Sequence, residues 1–484
     1  MSKYESVIGL EVHAELVTRS KMFCGCRVVD SVEAPPNSAV CPVCLGMPGM
    51  LPVINKRAIE YAMRVALALH CTVQSHNVFA RKNYFYPDLP KAYQISQYEL
   101  PLAVNGYQDI ELEPGQIKRI GITRVHMEED TGKLTHLENG RESLVDFNRS
   151  GVPLLEIVSE PDMRSIEETR AFAMKVRQIL RYLNVNSGDM EKGVIRFEAN
   201  VSIRPPDQAE LGTRTEIKNL NSFRALTDSI EYELERQAAV LDAGEKVVQD
   251  TMGWSESKRK TFSQRGKEEA HDYRYFPEPD LPPLSIGESW IEEIREQLPE
   301  LPDAKVDRYT RIMGLSGYEA RVLTEDRPVA NWFEAGVASG GGAKALSNWM
   351  INVLFGLMNE NKMAIDEIKV TPADLVSLIA MVDDGIINSN TAKDVLSEMF
   401  QTGQSATEIV DAKGLAQLSD EAEIAALIIR VLEDSPGQVA AYLGGKESLR
   451  GWFVGQVMRA TRGKANPGIV NRVLSTELDK LKNG

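Results

Sequence analysis

Glu11, His13 and Glu15 occupy alternate positions of the stretch Val7-Ile8-Gly9-Leu10-Glu11-Val12-His13-Ala14-Glu15-Leu16. Leu10, Val12, Ala14 and Leu16 fill the places around them. A period of two sends the polar and apolar sets to opposite faces of a strand. Two carboxylates flanking an imidazole are donors that a hard or borderline divalent cation accepts, although a solvated strand face would carry the same residues. Later segments repeat the arrangement. Residues 121–130 end in Glu128, Glu129 and Asp130, and 152–158 is apolar apart from Glu156, an acid costly to bury unless paired or bound to metal. Residues 194–204 alternate Ile195, Phe197, Ala199, Val201 and Ile203 with Arg196, Glu198, Asn200, Ser202 and Arg204, and 214–218 presents Arg214, Glu216 and Lys218.

Gathered on one face of an antiparallel sheet, these side chains would form a magnesium-nucleotide platform. Carboxylates would hold Mg²⁺, and Arg or Lys would neutralise a transferred phosphoryl group. Alternation puts Glu128 and Glu129 on opposite faces, so one of the two reaches the platform unless the strand ends there. A metal-dependent hydrolase could use the same donors. Against it, the chain has six histidines, no His-x-His or His-Glu-x-x-His pair and no nucleophile elbow.

A second constellation is Cys24-x-Cys26, then 14 residues, then Cys41-x-x-Cys44. Two thiolate pairs converging from two turns suit a closed tetrahedral zinc site, with a redox pair as the alternative. In a chain this long with no secretory layout at its start, a disulfide framework is not expected. Cys71 reads as a small buried residue.

Composition bounds the rest. The 484 residues exceed one core, and 43% hydrophobic with 26% charged residues describe an ordinary globular chain. No apolar run approaches the roughly 20 residues of a membrane span, and a cytoplasmic location is expected. The net charge of −15 argues against general nucleic-acid binding. Beyond Gly437, however, Lys446, Arg450, Arg459, Arg462, Lys464, Arg472, Lys480 and Lys482 face only Glu447, Glu477 and Asp479. That basic tail permits a local phosphate-binding patch. Gly340-Gly341-Gly342-Ala343-Lys344 lacks the Gly-Lys-Ser/Thr ending of a P-loop.

The elements that must position these groups give an α+β fold. Residues 1–292 read as an antiparallel-sheet domain, with helices at 55–69, 165–183 and 223–241 among its strands. Residues 81–97, with Pro87, Pro90 and a cluster of tyrosines, read as an ordered loop. Its Lys82 and Lys91 lie among aromatics that could stack on a base or line a polar cavity. The segment 271–283 echoes its turn chemistry and closes the domain with prolines. An all-α middle domain (293–404) and a small α-helical tail domain (405–484) follow, with 401–405 as a hinge.

Several segments are specific enough to carry a resemblance: VIGLEVHAEL (7–16), CPVCLGMPGMLPVINKRAIE (41–60), RKNYFYPDLPKAYQISQYE (81–99), IGITRVHMEEDTGKLTH (120–136), LVDFNRSGVPLLEIVSEPDMRS (144–165), EIKNLNSF (216–223), DYRYFPEPDL (272–281) and FVGQVMRATRGKANPGIVNRVL (453–474). Through them the chain resembles, over its full length, the B-subunit family (GatB) of the aspartyl/glutamyl-tRNA(Asn/Gln) amidotransferases. The resemblance implies a catalytic fold similar to glutamine synthetase. It also implies an ATP- and Mg²⁺-dependent phosphorylation of the side-chain carboxylate of Glu-tRNA(Gln) or Asp-tRNA(Asn), followed by amidation with ammonia.

By the same resemblance Mg²⁺ falls to Glu11, His13, Glu129 and Glu156, which favours Glu129 where periodicity left the choice open. Glu128, Glu198 and Lys218 are expected to make nucleotide or transition-state contacts, and Lys82, Tyr84 and Lys91 to line an ammonia path. Structural Zn²⁺ falls to Cys24, Cys26, Cys41 and Cys44. Arg459, Arg462 and Lys464 are expected to contact misacylated tRNA. The implied partners are a glutaminase A subunit and a small C subunit in a heterotrimer; no membrane is involved. A zinc-stabilised tRNA-binding scaffold and a free-standing ligase of a small carboxylic acid are the competing readings.

Overall fold

The computed structural model describes residues 3–113, 115–137, 142–265, 272–417, 420–461 and 464–483. It divides into two compact units, Met1–Pro302 and Asp303–Gly484. The strands of the first, in chain order, are β1 (Glu5–Glu15), β2 (Thr72–Val73), β3 (His76–Asn77), β4 (Ala80–Asn83), β5 (Tyr93–Ser96), β6 (Ala103–Glu113), β7 (Gln116–Glu129) and β8 (Lys133–His136). They continue with β9 (Ser143–Asp146), β10 (Pro153–Ser159), β11 (Ile195–Arg204), β12 (Thr215–Leu220), β13 (Thr251–Ser255), β14 (Lys260–Arg265), β15 (Phe276–Pro277) and β16 (Leu284–Ser285).

A nine-stranded sheet in the order β14-β13-β12-β11-β1-β10-β7-β6-β2 dominates this unit, with β1 in the middle. Among its described pairings, β12–β13 runs parallel and the others antiparallel. The alternation of β1 explains its place. Ile8, Leu10, Val12 and Ala14 are buried on one face, in the same core as the apolar residues of α1 (Lys56–Ala68), α2 (Ile166–Tyr182) and α3 (Phe223–Asp242). Each large aliphatic side chain buried there contributes about 1.5–3 kcal/mol. Polar side chains fix where the helices start. Asn55 accepts from the amides of Arg57 and Ala58, Ser165 from Glu168, and Ser222 from Ala225. With helices on that face, the acids of β1 are left on the other.

The stretch 81–97 departs from the loop expected of it. Its ends are β4 and β5, which pair with each other, and β15 adds to β4. Pro87 and Pro90 lie in the connection, where no ladder amide is needed, so Tyr93–Ser96 is free to pair. The echoing segment is no mere turn either, since its Phe276 and Pro277 form β15.

The second unit is helical and has two apolar cores. One runs from Tyr309 to Val410, the other from Ile424 to Leu478. Helix Ala406–Lys413 places Ala406, Ile409 and Val410 in the first of these. The division between cores therefore falls beyond the 404/405 boundary expected from sequence. Local chemistry gives the reason. Gly403, at φ 79°, ends helix Ser389–Thr402, and a Ser405–Glu408 capping box starts the next helix at once. Residues 401–405 are thus a tight turn within one core instead of a hinge. Among the described residues no helix is long and apolar enough to cross a membrane.

Candidate active site

Strand register lines up the chemistry. His13 of β1 lies opposite Glu156 of β10 and Arg196 of β11, and Glu156 lies opposite His126 of β7. Directly opposed residues share a face, so one polar row crosses four strands. The row beside it pairs Glu11 with Glu198, and the β11–β12 ladder shifts register between Ile217 and Leu220, the interval that holds Lys218.

The imidazole of His13 sits inside a cage of acids. Its Nδ1 is 3.6 Å from Glu128 and 4.0 Å from Glu156, and its Nε2 is 3.8 Å from Glu198. Glu156 is 3.2 Å from Nε2 of His126. Lys218 pairs with Glu198 at 3.0 Å and Glu216 at 3.4 Å, and Asn200 donates to Glu11 at 2.9 Å. Burial alone would depress His13, yet Glu156, Glu128 and Glu198 outweigh it and lift the imidazolium to about 9. Glu156 is held well below the usual carboxylate range, because His126, His13 and Lys82 overcome its burial. Burial and the charges of Glu156 and Glu198 push Glu11 the other way. Glu198 is lowered by Lys218 and His13 against its burial, and Lys218 is raised by Glu198 and Glu216 against its own.

Lys82 enters this group from β4. Burial works against its charge, but Tyr275, Glu128 and Glu156 keep the ammonium well above the ordinary lysine range. Its Nζ lies 5.1 Å from the ring centre of Tyr273. The segment carrying Tyr273 and Tyr275 is fixed by a bidentate pair, Arg81 to Glu278 at 2.7 Å for both bonds. Arg81 also stacks 4.2 Å above Tyr93, and Tyr275 stacks on Tyr98 at 4.3 Å.

Donor type tests whether these residues fit a cation. Two overlapping groups, Glu11–His13–Glu198 and His13–Glu128–Glu156, each bring three candidate ligand atoms within 4.8 Å of one another. His13 Nε2 is buried and has no hydrogen-bond partner among the described residues, an unusual state for a buried polar atom. Glu11, Glu128, Glu156, Glu198 and Glu216 make the group rich in carboxylate oxygens. A hard dication suits that set.

Glu129, the ligand implied by resemblance, is not in this group. Its neighbour Glu128 takes the inward place, as alternation requires. The Glu129 carboxylate pairs with Lys91 at 2.6 Å and accepts from the amide of Ile95 at 3.0 Å, and its carbonyl accepts from Gln94. Lys91 is therefore held by Glu129, apart from Lys82. Tyr84 stacks on Tyr86 at 5.8 Å and meets Tyr273 edge-on at 6.2 Å.

Glu15 is no bystander on the solvated face. Arg196 lies 3.7 Å from Glu15 and 3.0 Å from Asp130, and Arg149 is 3.7 Å from Asp130. Burial and the Asp130 charge push Glu15 up to about 8; Arg196 and Arg149 overcome burial to hold Asp130 at about 2.

The four cysteines Cys24, Cys26, Cys41 and Cys44 also converge, their sulfurs within 4.8 Å of one another, and none is in a disulfide. Sγ of Cys44 is 3.9 Å from that of Cys41 and accepts from the Cys41 amide at 3.1 Å. Four sulfurs at ~2.3 Å from a tetrahedral ion stand ~3.8 Å apart, so the cluster can hold a metal ion. Cys71 is buried away from them in the core.

Residues 6–292 match the family described as the GatB/GatE catalytic domain. The chain belongs to the GatB/GatE family. A second match, to the GatB domain, covers residues 331–478. Relatives bear out the membership over the whole chain. The B subunit of the aspartyl/glutamyl-tRNA(Asn/Gln) amidotransferase of Brevibacillus brevis is 51% identical over 481 residues, 99% of this chain and 100% of the relative. Proteins of the same name from a Thermoanaerobacter strain (52% over 478 residues, 99% and 100%) and Thermodesulfovibrio yellowstonii (51% over 472 residues, 98% of each) agree. The GatB/GatE catalytic match takes in every strand that supplies the acidic cage.

The GatB-domain match takes in Arg459, Arg462 and Lys464. Arg459 is exposed near the end of helix Leu449–Ala460, and Lys464 is exposed and donates to the carbonyl of Gly414 at 2.6 Å. Arg462 lies outside the described residues. Residues that sequence reasoning passed over are His126, Tyr273 and Tyr275. His126 was within reach of it, sharing strand parity with Glu128. The tyrosines belong to a segment whose partner strand was not expected.

Proposed function

We propose that this chain is the phosphoryl-transfer and amidating subunit of a tRNA-dependent amidotransferase. ATP first phosphorylates the side-chain carboxylate of Glu-tRNA(Gln) or Asp-tRNA(Asn). A carboxylate oxygen attacks the γ-phosphorus, and ADP leaves. Ammonia then attacks the acyl carbon, phosphate leaves, and the nitrogen gives up a proton to yield the amide. The observation that carries this reading is His13 enclosed by Glu128, Glu156 and Glu198, with Lys82 and Lys218 on the same acids.

Glu11, His13, Glu128 and Glu156 are the residues we assign to Mg²⁺, with Glu129 in reserve as the choice that resemblance implies. When bound, the ion would screen charge on the phosphate oxygens. Lys218 and Lys82 are cations suited to developing charge on the transferred group. Glu198 orients Lys218 through their 3.0 Å pair. Lys82, Tyr84 and Lys91 are assigned to a polar path for ammonia, supplied by a glutaminase A subunit in a heterotrimer with a small C subunit. Zinc is the ion we assign to the four cysteines. The sheet is read as similar to that of glutamine synthetase, and the protein is placed in the cytoplasm with its tRNA substrates.

The deciding experiment measures ATP turnover by the reconstituted complex with each charged tRNA, with uncharged tRNA and with free glutamate or aspartate. Turnover is expected only with Glu-tRNA(Gln), Asp-tRNA(Asn) or both. Equal stimulation by a free amino acid would instead mark a small-acid ligase.

We assign catalysis to 1–292, a helical role to 293–404 and tRNA contact to 405–484 through Arg459, Arg462 and Lys464, with Ala406, Ile409 and Val410 packed into the middle core. Truncation after residue 404 is expected to weaken charged-tRNA binding by about tenfold or more, the loss of a few phosphate contacts, while Mg²⁺ affinity is unchanged. Because helix Ala406–Lys413 completes a core, a cut after Gly414 is the companion. Loss of Mg²⁺ binding in either would show that the tail belongs to the catalytic fold.

A further inference from the structure

Lys21 is fully buried. An ammonium group removed from water costs several kcal/mol unless negative charge or good acceptors compensate it. The ion pairs among the described residues give Lys21 no carboxylate. Among the described residues its Nζ donates to Sγ of Cys44 at 3.6 Å and to the carbonyl oxygen of Phe147 at 3.2 Å. A neutral thiol and one carbonyl are poor compensation for a buried cation. A thiolate fixed on a metal is good compensation, since four thiolates around a dication leave an excess of about two negative charges.

The surroundings fix the lysine as firmly as its head group. Its own amide donates to Cys26, and the next amide, of Met22, donates to Gly151. Ser150 donates through its hydroxyl to the carbonyl of Cys44. Gly151, at φ +84°, lies close enough that an added Cβ would stand 3.5 Å from Cβ of Cys44, 3.6 Å from the Lys21 stem and 3.9 Å from Oε2 of Glu129, a carboxylate already paired with Lys91 at 2.6 Å. Lys21 thus lies between the cysteine cluster and the turn 147–151. From that turn Arg149 reaches Asp130 and the carbonyls of Thr131 and Gly132.

We infer that Lys21 is the buried counter-cation of the four-cysteine metal centre, neutralising one metal-bound sulfur and tying it to the turn that carries Arg149. The inference rests on the reading of the cysteines as a metal site, and it makes Lys21 a positioning residue. Second-sphere partners of this kind change metal affinity by about 10–100-fold when removed.

The test uses the full-length protein, analysed for zinc by atomic emission and for zinc transfer to a chromophoric chelator at fixed pH. It is repeated with cobalt to read the sulfur-to-metal charge-transfer band. Wild type is expected to hold one zinc per chain and release it slowly. Lys21→Met should release it about tenfold faster or more and move the cobalt band to lower energy. Lys21→Arg, which keeps the charge, should stay within about threefold of wild type. Release at the wild-type rate with an unmoved band in Lys21→Met overturns the role of Lys21. Wild type without bound metal overturns the metal reading beneath it. If Lys21→Met does not fold, Lys21→Gln replaces it. That variant keeps a donor one atom shorter and lacks the charge, so the same two outcomes apply.

Discussion

Glu156→Gln is expected to lower phosphoryl transfer from ATP to charged tRNA by about 10³-fold or more, equivalent to about 4 kcal/mol of lost transition-state stabilisation. Binding of charged tRNA should be unaffected. The change keeps shape and removes charge at the point where the polar row is densest, with His126 at 3.2 Å and His13 at 4.0 Å. Among the groups that raise His13, Glu156 acts most strongly, so its loss removes an acid donor and the main counter-charge of the imidazolium beside it. Because His126, His13 and Lys82 hold this carboxyl low, its charge also stabilises the fold, and a thermal melt of the variant separates that loss from the loss of chemistry. Single-turnover transfer of the γ-phosphoryl group, with filter binding of charged tRNA alongside, reads both quantities. Activity within tenfold of wild type would sink the assignment of this face as the reaction centre.

The second large effect separates two adjacent residues. Glu128→Gln should behave like Glu156→Gln, losing divalent-cation binding and most of the activity. Glu129→Gln should keep cation binding within about threefold and lose stability instead, by about 3 kcal/mol, because the half-buried Lys91 would lose its partner at 2.6 Å. Manganese titration followed by electron paramagnetic resonance, with a thermal melt of each variant, tells the two apart. If Glu129→Gln is the variant that loses the cation, resemblance outranks strand geometry, and the carboxylates must exchange places when the ion binds.

The strands that carry this site were legible because their faces differ. From Leu10 onward in β1 and throughout β11, apolar and polar residues alternate without a break, so period alone indicated which residues would meet in the core and which would be left for chemistry. Glu156 was legible for the opposite reason, as one charge in an apolar run. Alternation also limited the choice at Glu128 and Glu129 to one inward residue, and the structure turns Glu128 inward. What escaped were groups brought in by short irregular pieces. Two prolines concealed the β4–β5 pairing that delivers Lys82. The two-residue strand β15, which fixes Tyr273 and Tyr275, is too brief to leave a periodic signal. Lys21 carried no signal at all, since a lysine in sequence reads as surface and its burial follows from folds around it.

The central position of β1 also sets an order of assembly. Asn200 reaches Glu11 across 189 positions of the chain, and the hydroxyl of Ser159 meets the amide of Leu10 across 149. At translation speeds of about 5–20 residues per second, roughly 10–40 s separate the synthesis of β1 from that of its last neighbour. During that interval an apolar strand with both edges open has nothing native to pair with. The strand that anchors the finished site is therefore, for that part of synthesis, the one that waits for both of its partners.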